Sequence, residues 1–200
     1  MTLPIELLVY IPFAAAVIGT PGPANLVLMA AGARFGFRRT LPLIGGVILG
    51  KQFIIWPLGF GLMSLAAAAP LVFAAFKWAS IAYMLWLAWK VAGLRIRPGE
   101  AAAAPGFASG LIVHPMNPKA WAMITASFTT YVDTAASSLS ATLAVALTVL
   151  AVQCVLQPFY ALAGDRMARA VAGGPAEPWI MRGLALATVL SVIYVVVKGM

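Results

Sequence analysis

Thr20-Pro21-Gly22-Pro23-Ala24-Asn25 stands in the middle of an apolar run that extends from about Leu3 to Ala31 and carries no charge after Glu6. Two prolines one residue apart remove two backbone donors and clash with the preceding turn, so a regular helix cannot pass through them. A second interruption, His114-Pro115-Met116-Asn117-Pro118-Lys119, lies inside the apolar run from Phe107 to about Tyr131. A weaker echo accompanies the pair: Gln52 precedes Pro57 by five residues, as Gln153 precedes Pro158. Matching interruptions in two halves of a chain point to a transport site at the bilayer midplane. The alternative for each motif is a static kink filled by packing.

The rest of the chain sets these motifs in a membrane. Of 200 residues, 63% are hydrophobic and 9% charged, and the mean hydropathy is +0.99. A soluble domain is about half apolar and about a quarter charged, so a soluble enzyme, a disordered chain and a fibrous repeat are excluded. Each helix across a core of roughly 30 Å needs about 20 apolar residues, and about six spans use up the chain. The first runs from Leu3 to Ala31. Two more fit between Leu41 and Trp89, divided at Ala66-Ala67-Ala68-Ala69-Pro70. The fourth runs from Phe107 to about Tyr131, the fifth from about Leu139 to Ala163, and the sixth from Trp179 to Val197. Asp133 marks a short turn, and Asp165, Arg166, Arg169 and Gly173-Gly174-Pro175 a loop. The expected fold is all-α: one polytopic membrane domain of six transmembrane helices, arranged as two inverted three-helix repeats with broken first and fourth helices. Repeat one covers about 1–92, repeat two about 107–200, and a polar linker about 93–106.

The net charge of +8 would suggest nucleic acid in a soluble protein. Here the basic residues lie in short clusters between apolar runs, facing membrane lipid, and no nucleic-acid partner is expected. Arg34, Arg38, Arg39, Lys90, Arg95, Arg97, Arg166 and Arg169 fall in the first, third and fifth connections. The positive-inside rule puts those in the cytoplasm and both termini outside. With three spans per half, the first and fourth helices then run in opposite directions. No basic stretch precedes the first apolar run, which is expected to stay as a span rather than be cleaved. Cys154 is the sole cysteine, so no intrachain disulfide or cysteine-rich metal site can form. No cofactor and no metal are expected.

Half-helices that begin after Pro23 and near Pro118 present positive N-terminal ends suited to a carboxylate, and Asn25 and Asn117 can add amide hydrogen bonds. Lys51 lies about 11 residues, roughly 16 Å, inside the second span, and Lys119 follows the second break. Ionisable groups at such depth suggest function; the alternatives are snorkelling or satisfying carbonyls freed by a break. All five acids, Glu6, Glu100, Asp133, Asp165 and Glu177, fall at or near span ends or in loops. The site is therefore neutral to positive and suits an anionic or zwitterionic solute. The candidate substrate-binding residues are Pro21, Gly22, Pro23, Asn25, Lys51, Gln52, Asn117, Pro118, Lys119 and Gln153. Gln157 is a further neutral polar group, able to hydrogen-bond or to hold helices together. His114, the only histidine, stands five residues from Ser109 and so not on one helix face with it; it reads as a satisfied side chain at the break. Trp78, Tyr83, Trp86 and Trp89 read as interfacial belt and packing, with stacking of Tyr83 or Tyr160 on an amino group as a lesser reading. Gly46 with Gly50, and Gly106 with Gly110, allow close helix packing.

Together these residues resemble the LysE/RhtB amino-acid exporters over nearly the full length. The resemblance is carried by Thr20-Pro21-Gly22-Pro23-Ala24-Asn25, Gly32-Ala33-Arg34-Phe35-Gly36-Phe37-Arg38-Arg39, Phe76-Lys77-Trp78-Ala79, Ala82-Tyr83, Trp86-Leu87, Trp89-Lys90, Asn117-Pro118-Lys119-Ala120-Trp121 and Tyr160-Ala161-Leu162-Ala163. It implies six spans, ion-gradient-driven efflux of amino acids or related metabolites from the bacterial cytoplasm, and a homodimer as a candidate assembly. Two positions depart from the family pattern, which often has an acidic or small residue near Lys51 and an aspartate at Gln153; both departures weaken the expectation of a basic substrate. The reading is an alternating-access exporter of neutral or zwitterionic amino acids, or related small carboxylated metabolites, in the inner membrane. The alternatives are an intramembrane enzyme centred on His114 and a passive channel or scaffold.

Overall fold

A computed structural model describes residues 5–61, 70–92, 104–132, 138–171 and 174–198; within them the chain is helical apart from turns and one isolated antiparallel bridge between Ile5 and Val132. The expected connections at Ala66–Ala69, at 93–103 of the linker, at Asp133 and at Gly173 lie outside the described residues.

The first break forms as the prolines dictate. Helix α1 (Leu7–Gly19) stops because Pro21 keeps Thr20 extended, at φ −68° and ψ 130°. Thr20 closes the end itself: its amide and hydroxyl both donate to the Ala16 carbonyl, at 2.9 and 2.6 Å. Gly22 is extended too, and α2 (Pro23–Phe35) begins with proline in its first turn, where the missing N–H costs nothing. The two helices are bent by 54° to one another.

Between α2 and α3 (Phe37–Gly50) there is no loop. Gly36 alone joins them, at φ 80° and ψ 158°, a conformation open essentially to glycine only. Arg34, Arg38 and Arg39, expected as a basic loop, are therefore helical residues around a one-residue corner. Helix α3 passes through Lys51 into α4 (Gln52–Gly59), after which comes α5 (Pro70–Ala92). The fourth apolar run is interrupted as expected: α6 (Phe107–Leu111) gives way to a turn over 112–116, and Asn117, extended at φ −115° and ψ 107°, starts α7 (Pro118–Ala126). A π turn, Ser127–Tyr131, follows. Helix α8 (Ser138–Val171) has 34 residues. At 1.5 Å per residue it reaches about 51 Å, well beyond a hydrocarbon core of roughly 30 Å. Asp165, Arg166 and Arg169, expected in a loop, thus lie on its continuation, where Arg169 pairs with Asp165 at 2.8 Å. Helix α9 (Glu177–Lys198) completes the chain.

Phe37–Gly59 and Ser138–Ala170 are each long and apolar enough to cross a membrane, and the bent pair α1–α2 makes a third crossing if it is one span. Large apolar side chains such as Leu8, Leu71, Val155 and Val197 face outward, which suits hydrocarbon surroundings and not water.

Glycines set the closest packing. A Cβ at Gly32 would strike the Ala161 carbonyl oxygen, and one at Gly164 the Met29 carbonyl, so α2 and α8 touch backbone to backbone. Helices α3 and α6 do the same, since Cβ atoms at Gly46, Gly50 and Gly110 would strike the carbonyls of Phe107, Leu111 and Leu43. Gly106 takes no part: it precedes α6 in an extended conformation, with nothing within 4 Å of an added Cβ. Helix α5 packs on α9 through Ile81, Met84 and Val192.

Two of the apolar clusters among the described residues flank the breaks. One joins α1, α4, α7 and α8 through Ala14, Ile18, Ile54, Ile55, Met123, Val145 and Val149. The other joins α2, α3 and a later part of α8 through Leu28, Leu43, Val47 and Ala161, together with Val113. The chain goes from the first core to the second along α1–α2 and along α8. It returns from the second to the first along α3–α4 and from Val113 to Ala120. Both breaks fall between the cores.

Candidate functional site

A hollow occupies that boundary. Val17 and Ile18 line it from α1, Gly22, Ala24 and Asn25 from the first break and α2, and Lys51 from the α3–α4 junction. His114 and Asn117 come from the second break, Lys119, Ala120 and Met123 from α7, and Gln157 from α8. About 300 Å³ lies unfilled out to its mouth, but the centre of a water molecule reaches only about 20 Å³, room for one or two waters. The hollow is pinched.

A broken helix in lipid leaves carbonyls that something must satisfy. Three elements supply the donors here. Asn25 donates its amide to the Ile18 carbonyl at 2.6 Å and the Thr20 carbonyl at 3.2 Å. Tyr160, from α8, donates its hydroxyl to the Gly19 carbonyl. Lys119 reaches across from α7 to donate to the Thr20 carbonyl at 2.9 Å. Its side chain lies so close over Gly22 that a Cβ there would stand 3.0 Å from Nζ. Pro21, having no N–H, leaves the Val17 carbonyl without its intrahelical donor.

The two half-helix ends differ. Helix α2 has Gly22 as its N-cap and no side-chain cap, so its first amides face the hollow uncapped. Helix α7 is closed by its own sequence: Asn117 Oδ1 accepts from the Lys119 amide at 3.1 Å, the usual N-cap arrangement. Trp121 Nε1 donates to the Pro115 carbonyl at 2.8 Å and ties the second break down.

Lys51 is 3% exposed, and its ammonium nitrogen lies 3.9 Å from the Met123 sulfur, a weak acceptor. None of the lining residues is acidic, so the electrostatic environment combines two lysines with neutral groups. His114 Nε2 lies 3.1 Å from Gln153 Nε2. Among the described residues, His114 Nδ1, Gln153 Oε1 and both amide atoms of Gln157 are buried without a partner. No group of three His, Cys, Asp or Glu side chains there could hold a metal ion.

Of the residues singled out from sequence, Gly22, Asn25, Lys51, Asn117 and Lys119 meet at the hollow. Pro21, Pro23 and Pro118 shape the breaks without lining it. Gln153 stands behind the wall and holds His114. Gln52 lies elsewhere. Successive helical residues point about 100° apart, so with Lys51 turned inward Gln52 borders an outer apolar groove with Leu49, Phe53 and Trp56, its amide 3.4 Å from the Ala146 carbonyl. Sequence reasoning did not place Gln157, Met123 or Val17 at the site. Gln157 carried a signal, an amide buried in an apolar run, but Gln52 carried the same one.

A family model described as LysE type translocator matches residues 15–199. A relative from Salmonella choleraesuis (strain SC-B67), named cysteine/O-acetylserine efflux protein, is 36% identical over 73 residues, 36% of this chain and 37% of the relative. One of the same name from Escherichia coli (strain K12) is 33% identical over 86 residues, 40% of this chain and 44% of the relative. The chain thus aligns with less than half the length of these curated relatives. No solved structure matches it.

Proposed function

The chain belongs to the LysE type translocators, and from that membership we propose that it exports small zwitterionic amino acids across the bacterial inner membrane by alternating access. The observation that carries the reading is the charge of the hollow: Lys51 and Lys119 line it and no acid does. A carboxylate entering there meets two cations and the uncapped start of α2. The relatives' names add a size class, since cysteine and O-acetylserine each join one carboxylate and one ammonium to a small uncharged side chain.

Six spans in two inverted repeats make the frame. The opposite order in which the first and fourth apolar runs visit the two cores supports this, as does the opposite order of α3–α4 and α8. The pairing of elements agrees. Helices α1 and α2 pack on α8, α6 and α7 pack on α3 and α4, and α5 packs on α9. An axis in the membrane plane that exchanges spans one with four, two with five and three with six interchanges the first two pairings and keeps the third. In this frame the Arg34–Arg39 corner faces the cytoplasm and the termini face outside. Lys119 bonded to Thr20 ties one repeat to the other; a bound carboxylate competes for that ammonium and frees the bend at Pro21-Gly22-Pro23.

Membership of a translocator family sets the His114-centred enzyme aside, and a pinched hollow favours a carrier over a passive channel. Counterflow in proteoliposomes loaded with cysteine, O-acetylserine or lysine tests the reading. The protein should exchange the first two and not lysine, and Lys51→Met should lower exchange at least tenfold without lowering the melting temperature. Full exchange by Lys51→Met removes that lysine from the mechanism; no exchange of any amino acid refutes export.

A further inference from the structure

Gln157 is 1% exposed, lines the hollow, and has neither its amide oxygen nor its amide nitrogen in a hydrogen bond. A buried primary amide with no partner is costly, and if the position served packing alone leucine or methionine would fill it better. Something that enters the hollow is the natural partner. Resting on the export reading above, we propose that Gln157 is the receptor for the ammonium group of the bound amino acid, through Oε1, and that it sets the preference for zwitterions over basic amino acids.

An ammonium group brings three donors and seeks acceptors. The acceptors at the hollow are largely engaged: the Ile18 and Thr20 carbonyls take Asn25 and Lys119, and Asn117 Oδ1 takes the Lys119 amide. No carboxylate lines the wall. Of the side-chain atoms on the wall, Gln157 Oε1 is left as an acceptor, with Gln157 Nε2 and His114 Nδ1 also unmatched. Gln153 holds the far side of that ring at 3.1 Å, so the imidazole stands fixed beside the ligand space. A neutral amide accepts from one ammonium beside a carboxylate held by Lys51 and Lys119. It cannot offset a second positive charge, which excludes basic amino acids.

The test compares cysteine with 3-mercaptopropionate, the same molecule without its ammonium group, under reducing conditions. Binding is read as ligand-induced stabilisation of the purified protein. Gln157→Met, close in size and apolar, should weaken cysteine at least tenfold and leave 3-mercaptopropionate within twofold. It should also raise the melting temperature of the empty protein, because two unmatched polar atoms are gone. Gln157→Glu should admit lysine to counterflow. Equal losses for both ligands in Gln157→Met, or undiminished cysteine binding, overturn the assignment; should that variant not fold, a folded Gln157→Glu that still rejects lysine overturns it. Failure of the unsubstituted protein to bind either ligand is a different result and refutes the export reading itself.

Discussion

Replacing Asn25 with alanine deletes both hydrogen bonds that its amide gives to the first break, at 2.6 Å to Ile18 and 3.2 Å to Thr20. The two carbonyls fare differently. Thr20 keeps the Lys119 ammonium at 2.9 Å, so its loss is that of an ordinary hydrogen bond, about 0.5–1.5 kcal/mol. Ile18 belongs to a 4% exposed residue and loses the donor that Asn25 supplied; a buried acceptor left bare costs about 1–3 kcal/mol. The sum is about 1.5–4.5 kcal/mol. For a chain of this size each kcal/mol moves the melting temperature by roughly 2–4 °C, which predicts a fall of about 3–18 °C. Thermal unfolding in detergent, followed by tryptophan fluorescence, reads this directly. Asn25→Asp should fall at least as far, because a carboxylate offers those carbonyls no donor. A melting temperature within about 1 °C of the unsubstituted protein, together with lost counterflow, would show that Asn25 serves the substrate and not the break, and the account of how the break is held would be wrong.

Two further outcomes are expected. Gly46→Ala drives a Cβ into the Phe107 carbonyl, a backbone atom that cannot swing aside, and should cost about 1–3 kcal/mol; Gly106→Ala meets nothing within 4 Å and should melt unchanged, so the reverse order would discredit the α3–α6 contact. With Cys154, which is exposed on α8, replaced by serine, a cysteine introduced at Arg38 should resist a membrane-impermeant maleimide in intact cells and react after permeabilisation, whereas prompt labelling from outside would invert the proposed topology.

The breaks were legible because proline acts locally: no packing restores the donor that Pro21, Pro23 or Pro118 lacks. The connections were less so. Clustered arginines mark polar sequence, but polarity does not say whether a helix ends, and the Gly36 corner depends on α2 and α3 meeting closely enough for one residue to turn the chain. Helix α8 outran its apolar stretch for a reason that is visible in hindsight, since Asp165 and Arg169 stand at the spacing of a helical ion pair. At the site, residue type showed which groups were costly to bury but not which way they turn. Lys51 and Gln52 are neighbours, and only one can face the hollow. Asn117-Pro118-Lys119 carried its N-cap in plain sight; Asn25 looks equivalent, yet it points back across the bend to the helix it follows.

On the proposed reading, that detail bears on why a zwitterion would suit this site better than either kind of singly charged solute. The Ile18, Gly19 and Thr20 carbonyls of the first break are not naked; an empty break in lipid has to satisfy what it can, and Lys119 does part of that by holding Thr20. On the proposed reading, binding is an exchange and not an addition. An anion without an amine draws the Lys119 ammonium away and leaves the Thr20 carbonyl with only the 3.2 Å bond from Asn25. A cation without a carboxylate offers Thr20 a donor but adds a third positive charge beside Lys51 and Lys119. A zwitterion does both halves at once: its carboxylate takes Lys119, and its ammonium reaches the released carbonyl and Gln157. Every polar group then keeps a partner while the tie between the two breaks is undone, which is what a carrier needs if binding is to lower the barrier to reorienting rather than lock the site. The comparison of cysteine with 3-mercaptopropionate measures this as well, for the des-amino ligand should bind yet fail to support exchange, and efficient exchange of it would sink the idea.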